Sequence, residues 1–240
     1  MKSTLYKKSF DLFLKRTNEK KVISDFIKTH IPLHKRAKFL DIGGGNGTLA
    51  RMISKRVGSV VIVEPNKFFL PNPKNNGNPK IINSKWENVR LNDVYDFILA
   101  AYVITYFPKD IREQLIEKIY IHLVSGRGIA LVISVDAKRG SWRKIHTYFY
   151  KLVGHRHSSS DDELKKIIKK YDVKKKMFKT LVIAKNKEEM LKILNFDFGR
   201  HPKEYERFSE KLHQFLNKYT DKSGRVILEI VHNAYIIRKS

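Results

Sequence analysis

The residues best suited to chemistry in this sequence are glycines that follow an acid. Residues 37–42 form a short apolar run that contains Asp41. Four glycines come next, at Gly43, Gly44, Gly45 and Gly47. Helical spacing of apolar residues resumes at Leu49, so the pattern predicts a strand, a tight turn and a helix. Because glycine has no Cβ, a ligand can approach its backbone closely, and the turn predicts a ligand site at the carboxyl edge of a sheet.

A second acid stands where a bound ribose would need one. Residues 59–63 form the next apolar run, and Glu64 ends it, about 20 residues past the glycines, as in nucleotide-binding α/β folds. A dinucleotide fits poorly, because Thr48 occupies the place of the last glycine in G-x-G-x-x-G. The two signals together predict a nucleoside-bearing cofactor. A glycine-rich turn in some other α/β protein is the alternative.

The pattern Asp41-x-Gly43-x-Gly45-x-Gly47 resembles the first motif of class I S-adenosylmethionine-dependent methyltransferases, and the resemblance covers residues 36–136. It implies an enzyme with S-adenosyl-L-methionine as its cofactor, with Glu64 accepting hydrogen bonds from the ribose and Trp86 flanking the adenine. A Trp86 that only packs beneath its loop is the alternative. The cofactor-binding residues implied in this way are Asp41, Gly43, Gly45, Gly47, Glu64, Pro65, Ser84, Trp86 and Ala101.

The whole chain is also similar to the histamine N-methyltransferase group, through Tyr6-x-x-Ser9-Phe10, Glu19, Tyr106 and Trp142, among other positions. This resemblance implies that Glu19 binds the amine-bearing end of the acceptor. Tyr102 replaces the glutamine that the group carries after its fourth strand, so histamine itself is not the expected acceptor. The expected catalytic residues are Glu19, Tyr102, Tyr106 and Trp142. The expected substrate contacts are Tyr6, Phe10, Glu19, Tyr102 and Trp142.

The chemistry of these acceptor-side residues leaves the question of a base open. Aromatic faces favour a cationic centre, and an amine that arrives neutral needs no base. Otherwise Glu19 or His146 could take the proton. The alternative for Glu19 is an exposed acid at a helix start, and for His146 an ordinary surface histidine, which we prefer. No set of residues has metal-ligand spacing, so no metal is expected.

The elements that must position these residues alternate along the chain. Apolar runs at 37–42, 59–63, 80–83, 96–101 and 128–134 predict strands, with helices at 46–57 and 108–124. This order predicts an α/β fold with a doubly wound, mostly parallel seven-stranded sheet. An N-terminal helical cap at 1–35 precedes the cofactor-binding core at 36–136, and substrate-side helices and closing strands follow at 137–240. In this last part, strands are expected at 177–184 and 225–238 and helices at 187–196 and 203–219. We expect a single domain over 1–240.

Composition bounds the class of protein. The 240 residues include no cysteine, so disulfides and thiolate metal sites are excluded. No apolar stretch is long enough to cross a membrane and no signal peptide is evident, so we expect a cytoplasmic protein. The net charge is +25. Residues 1–40 hold 11 basic and 3 acidic residues and residues 137–190 hold 16 and 6, against 12 and 9 in residues 41–136.

Three functions follow from these observations. Methyl transfer to a nitrogen of a small molecule is the first. The second is methyl transfer to RNA or an acidic protein that binds the basic segments, although a lysine-rich composition is more often a solvated surface. The third is a catalytically inactive, methyltransferase-like binding subunit, and the intact glycines and Glu64 argue against it.

Overall fold

The computed structural model describes residues 4–70, 79–155 and 160–240. The strands are β1 (Lys38–Ile42), β2 (Ser59–Val63), β3 (Lys80–Ile82), β4 (Phe97–Ala101), β5 (Ile129–Val135), β6 (Asp172–Ala184) and β7 (Val226–Arg238). The helices are α1 (Thr4–Arg16), α2 (Glu19–His30), α3 (Thr48–Ser54), α4 (Arg112–Ile121), α5 (Ser141–Val153), α6 (Ser160–Ile168), α7 (Lys187–Phe198), α8 (Pro202–Arg207) and α9 (Ser209–Leu216).

The strands form one seven-stranded sheet in the order β3-β2-β1-β4-β5-β7-β6. The first five strands pair in parallel, and β7 runs antiparallel to β5. Strand order reverses between β1 and β4, because β2 and β3 lie on one side of β1 and the later strands on the other. The predicted doubly wound, mostly parallel sheet is confirmed. Such a reversal leaves a crevice at the carboxyl ends of the strands, where ligands bind in open α/β sheets.

The described residues divide into two compact units. The sheet unit comprises the described residues within 20–70, 79–135, 160–178 and 232–240, and the helical unit comprises those within 4–19, 136–155 and 179–231. The predicted cap at 1–35 is therefore divided, with α1 and Glu19 in the helical unit and the rest of α2 in the sheet unit. The sequence suggested three consecutive segments, whereas each of the two units combines segments that are far apart in the chain.

Two apolar cores cover the two faces of the sheet unit. Alternate strand residues point to opposite faces. On one face, Phe39, Phe97 and Leu99 pack with residues of α2 and α3. On the other face, Ile42 and Ile98 pack with residues of α4 and α6. Burial on both faces explains why β1 and β4 read as continuous apolar runs, and it fixes the loops at their carboxyl ends.

Several element boundaries differ from the sequence-based ones. Helix α4 begins at Arg112, not at residue 108, because a 3-10 turn at Ile104–Tyr106 and a loop come first. Strand β6 begins at Asp172, five residues before the predicted start at Met177. The helix predicted at 203–219 is two helices and a 3-10 turn. Among the described residues, no helix is long and apolar enough to cross a membrane.

Candidate functional site

The register of the sheet places the ends of three strands side by side. Ile42 pairs with Val63 of β2 and with Ala100 of β4, so Gly43, Glu64 and Ala101 follow at one edge. The backbone N–H of Gly43 donates to the carbonyl of Val63 over 2.7 Å, which holds the glycine-rich loop against the end of β2. The sequence predicted this convergence from the parallel order of the strands.

Glu64 joins the two loops directly. Its Oε2 accepts a hydrogen bond of 3.0 Å from the N–H of Gly45, and its Oε1 accepts one of 2.8 Å from the N–H of Asn66. The side chain is fixed, since the residue is 7 % exposed. A carboxylate offers about four lone-pair sites, and these bonds use two of them. The remaining acceptor capacity suits the hydroxyls of a ribose.

Two glycines of the turn serve different purposes. A Cβ on Gly43 would lie 2.2 Å from Cγ1 of Val103, so this glycine permits close packing of the loop against the segment after β4. A Cβ on Gly45 would meet no atom within 4 Å, and its φ is +56°. Bare main chain at Gly45 therefore borders open space, and the N–H of the same residue donates to Glu64.

Asp41 is a buried acid that lacks a hydrogen bond at one oxygen. It is 3 % exposed, and its Oδ2 has no hydrogen-bond partner among the described residues. Burial, with a smaller contribution from the nearby Glu64, raises the pKa of its carboxyl to about 7 against the opposing charge of Lys20. A perturbed carboxyl of this kind at the carboxyl edge of the sheet marks a functional-site candidate and is suited to a cationic ligand.

The end of β3 completes this edge of the sheet unit. Nδ2 of Asn83 donates to the carbonyl of Glu64 over 2.8 Å, and the half-buried Ser84 follows it. Pro65 is exposed beside Glu64. Trp86 is 3 % exposed, and its Nε1 donates to the carbonyl of Leu115 over 3.1 Å. The prediction that Trp86 flanks the adenine is corrected, because the ring lies within the core beneath its loop.

The segment after β4 contains an unusual backbone. Tyr102 has a φ of +61°, the only positive φ of a non-glycine residue in the described ranges. Its hydroxyl lies 3.0 Å from Nδ1 of His232, and Ala101 before it is half-buried. Tyr106 is 61 % exposed at the end of the 3-10 turn. The structure therefore orients Tyr102 firmly and does not place Tyr106 in the wall of an enclosed pocket.

Three of the predicted acceptor-side residues meet within the helical unit. Tyr6 and Phe10 stack with ring centroids 6.1 Å apart, and both contact Phe196, which also stacks on Trp142 at 6.0 Å. Trp142 is 4 % exposed. The expected contact of Trp142 with the acceptor is corrected, because its ring packs the interior of the helical unit, whereas Tyr6 and Phe10 are half-buried.

Glu19 and His146 are both buried, although the sequence offered an exposed acid and a surface histidine as the alternatives for them. Glu19 begins α2 and is 6 % exposed, so it is not an exposed helix-start acid. His146 is 9 % exposed, and its Nε2 lies 3.0 Å from Oδ2 of Asp197, which corrects the preference for a surface histidine. In the described part of the chain, no three histidine, aspartate or glutamate side chains come together as a metal site.

Comparison with known proteins identifies the family. A family model described as a methyltransferase domain matches residues 14–175. The chain belongs to this methyltransferase domain family. YrhH of Bacillus subtilis (strain 168), which carries the name of a methyltransferase, is 26 % identical to this methyltransferase over 161 residues, 63 % of this chain and 87 % of YrhH.

Solved structures share the fold of this methyltransferase. A methyltransferase from Bacillus halodurans C-125 is 13 % identical with a TM-score of 0.63, and the match covers 90 % of this chain and 98 % of that one. Mycolic acid cyclopropane synthase CmaA1, complexed with SAH and CTAB, is 16 % identical with a TM-score of 0.55, over 91 % and 84 %. The prediction of a class I S-adenosylmethionine-dependent methyltransferase is confirmed. The similarity to the histamine N-methyltransferase group stays a prediction.

Sequence reasoning missed three residues that shape the site. Asn66 and Asn83 bond Glu64, and His232 bonds Tyr102 from 130 positions away. The two asparagines lie in loops where polar residues are ordinary, so they carried no signal. His232 and Asn233 did offer one, because they are two consecutive polar residues inside the otherwise apolar strand β7.

Proposed function

We propose that this methyltransferase transfers the methyl group of S-adenosylmethionine to a nitrogen of a small molecule. The observation that best supports this cofactor is the hydrogen bond between Gly45 and Glu64, which joins the glycine-rich loop to the acid after β2. Bare backbone at Gly45 and a carboxylate with spare acceptor capacity lie together there, as an adenosyl ligand with an amino-acid arm requires.

The residues of the sheet unit fit this cofactor. Gly45 leaves open space in which a Cβ would otherwise stand, and Asp41 has a buried oxygen without a hydrogen bond in the described part of the chain. We assign the ribose hydroxyls to Glu64 and the methionine arm to the backbone of Gly43 to Gly47. The positive charge of the methionine arm would be attracted by the carboxylate of Asp41. Pro65, Ser84 and Ala101 border the same edge.

When bound, S-adenosylmethionine would supply a methyl group on a sulfonium: the S–C bond would break as the lone pair of the acceptor nitrogen forms the new N–C bond, with a neutral thioether as the leaving group. The residues of the chain therefore need only bind, orient and exclude water. Tyr102 lies after β4, where the acceptor would approach, and an aromatic ring there favours a cationic centre. Tyr106 lies at a more exposed position in the same segment. The acceptor contacts predicted at Glu19, Tyr6 and Phe10 of the helical unit stay predictions.

The nature of the acceptor is tested by incubating the protein with methyl-labelled cofactor and separated cell fractions of small molecules, RNA and protein. We expect label in the small molecules. Label confined to RNA or protein would contradict the small-molecule acceptor and support the basic segments as a binding surface. Salt gives a second readout, because binding through several phosphates weakens steeply as salt rises, whereas a small amine responds little.

Calorimetry with S-adenosylmethionine separates the enzyme from an inactive subunit. We expect binding, and absence of binding at millimolar cofactor would contradict the assigned cofactor site. Binding without transfer to any fraction would favour a subunit that uses the fold only to bind a partner.

A further inference from the structure

The starting point is the backbone of Tyr102, which costs free energy to maintain. A non-glycine residue in the left-handed region is strained by an amount of order 1 kcal/mol or more, and such strain persists only where the surroundings fix it. Here the N–H of Tyr102 donates to the carbonyl of Ile133 over 2.9 Å, and its own carbonyl accepts from Oγ1 of Thr105 over 3.3 Å. The fold therefore imposes this conformation on Tyr102 and so sets the direction of its side chain.

The partner of the phenol is held rigidly. His232 is fully buried, and its ring stacks on Phe178 with centroids 4.8 Å apart. Burial lowers the pKa of its imidazole to about 3, so the ring is neutral at physiological pH. A neutral imidazole and a phenol form a neutral hydrogen bond, here 3.0 Å from the hydroxyl of Tyr102 to Nδ1. The hydrogen bond therefore fixes the position of the Tyr102 hydroxyl, and neither partner is charged.

A buried polar cluster on β5, α6 and β7 fixes the strand that carries His232. The next residue, Asn233, donates from Nδ2 to Oδ2 of Asp161 over 2.9 Å, and Ser134 of β5 donates to the other oxygen. Ser134 and Asn233 are directly opposite each other in the antiparallel pairing. A one-residue slip of β7 would move His232 to the other face of the sheet. The Asp161 cluster therefore prevents the slip that would remove the partner of Tyr102.

The position of Tyr102 links this pair to the cofactor edge. Val103 follows it, and Cγ1 of Val103 lies where a Cβ of Gly43 would stand. Tyr102 is thus one residue from the side chain that packs on the glycine-rich loop. A tyrosine that served only to fill the core would not need a polar partner, a strained backbone and half-exposure at this edge at once.

We propose that His232 is a positioning residue for methyl transfer: its hydrogen bond holds the Tyr102 hydroxyl at the end of β4, where that hydroxyl contacts and orients the acceptor. The inference rests on the proposed methyltransferase function and adds a residue that touches neither cofactor nor acceptor. It separates two roles: Tyr102 contacts the acceptor, and His232 acts through Tyr102.

The test compares Tyr102→Phe, His232→Phe, His232→Asn and the double variant Tyr102→Phe/His232→Phe. His122→Phe and Tyr120→Phe are matched controls elsewhere in the sheet unit. Each protein is assayed for S-adenosylhomocysteine binding by calorimetry and for the rate of methyl transfer into the cell fraction that the wild type labels. The ¹⁵N shift of the His232 ring reports the hydrogen bond, because Tyr102→Phe should move it.

We expect Tyr102→Phe and His232→Phe each to lower the transfer rate about tenfold or more while cofactor affinity changes less than twofold, since small misplacements of contacting groups are costly. The double variant should be no slower than the worse single variant, because the two residues act as one unit. His232→Asn, which can still bond the phenol, should recover part of the rate, and the controls should match the wild type.

Two outcomes would overturn the inference. One is a folded His232→Phe variant with the transfer rate of the wild type, and the other is a double variant whose loss is the product of the single losses. Should His232→Phe not fold, the comparison of His232→Asn with the wild type and the ring shift decide in its place. A wild type that neither binds the cofactor nor transfers methyl groups refutes the proposed function itself, which is a different result.

Discussion

The backbone N–H of Gly45 donates a 3.0 Å hydrogen bond to Oε2 of Glu64, so the turn after β1 and the acid after β2 form one binding edge. Glu64→Gln can keep this loop contact, because the amide oxygen accepts the same bond, although its NH2 then faces the N–H of Asn66. The substitution removes the charge offered to a ribose. Hydrogen bonds to charged groups are worth about 1.5–3 kcal/mol, so we expect S-adenosylhomocysteine to bind roughly ten- to a hundredfold more weakly by calorimetry.

The matched control is Glu117→Gln, the same chemical change on an exposed glutamate that lies 3.5 Å from Lys170. It should leave cofactor affinity unchanged. Equal losses in the two variants would mean that the ribose is placed wrongly.

Gly45→Ala tests whether the open space beside the turn belongs to a ligand. The new methyl group would meet no described atom within 4 Å, so the cost to folding comes from the positive φ alone, about 1–2 kcal/mol. Binding of S-adenosylhomocysteine should fall much further, because the Cβ keeps the ligand away from the backbone. Gly126 has a φ of +76° and equally open surroundings, which makes Gly126→Ala the matched control. We expect the two variants to lose a similar amount of melting temperature, but only Gly45→Ala to lose affinity for S-adenosylhomocysteine. Equal affinity in the two variants would refute the assignment of the space at Gly45 to the cofactor.

The cofactor edge was predictable because its signals are local. A buried parallel strand must be apolar, a close backbone approach requires glycine, and the acid after the next strand follows at a set distance. Each of these is visible within a few residues, as at Asp41, Gly45 and Glu64. The side of a strand or turn that a large side chain faces is not a local property. The sequence therefore predicted the loop that carries Trp86 but left open whether the ring flanks the adenine or packs in the core beneath the loop.

Other features depend on partners far along the chain. The start of β6 at Asp172 was missed because Lys174 and Lys175 are exposed, and lysine on a strand at the edge of a sheet is a common protection against unwanted pairing. The Tyr102 and His232 contact requires β7 to lie beside β5, which no local pattern specifies.

Asp41→Asn should stabilise the free protein and weaken cofactor binding. Burial raises the pKa of Asp41 to about 7. The folded state therefore binds more protons than the unfolded state, and the free energy of unfolding falls as pH rises from about 4 towards 7. Asparagine avoids this cost, so at pH 8 the variant should be more stable to urea by an amount on the order of a few kcal/mol. A variant less stable than the wild type at pH 8 would contradict the raised pKa.

Cofactor binding should release protons through the same residue. A cationic ligand lowers the pKa of a nearby carboxyl, and near pH 7 Asp41 is about half protonated. Calorimetry at pH 7 in two buffers of different ionisation enthalpy should therefore show release of a fraction of a proton in the wild type and none attributable to this site in Asp41→Asn. Identical proton release in the two proteins would show that the charge of the ligand does not act on Asp41.

Asp161→Asn should destabilise the sheet unit in a pH-dependent way. Burial alone would raise the pKa of Asp161, but hydrogen bonds from Lys165, Ser134, Tyr235 and Asn233 together lower it below the ordinary value. The stabilisation is then fully present above the unfolded pKa near 4 and is lost as pH falls below it. At pH 7 we expect urea unfolding to show a free energy of unfolding lower by about 2–4 kcal/mol, because the amide cannot accept from all these donors and no longer balances the charge of Lys165.

Asp162→Asn is the control, since Asp162 is exposed and pairs with the same lysine at 3.1 Å. This substitution should lower the free energy of unfolding by less than about 1 kcal/mol. The difference in the free energy of unfolding between wild type and Asp161→Asn should narrow as pH falls below about 4, and a difference that stays constant would show that the hydrogen bonds do not favour the charged form.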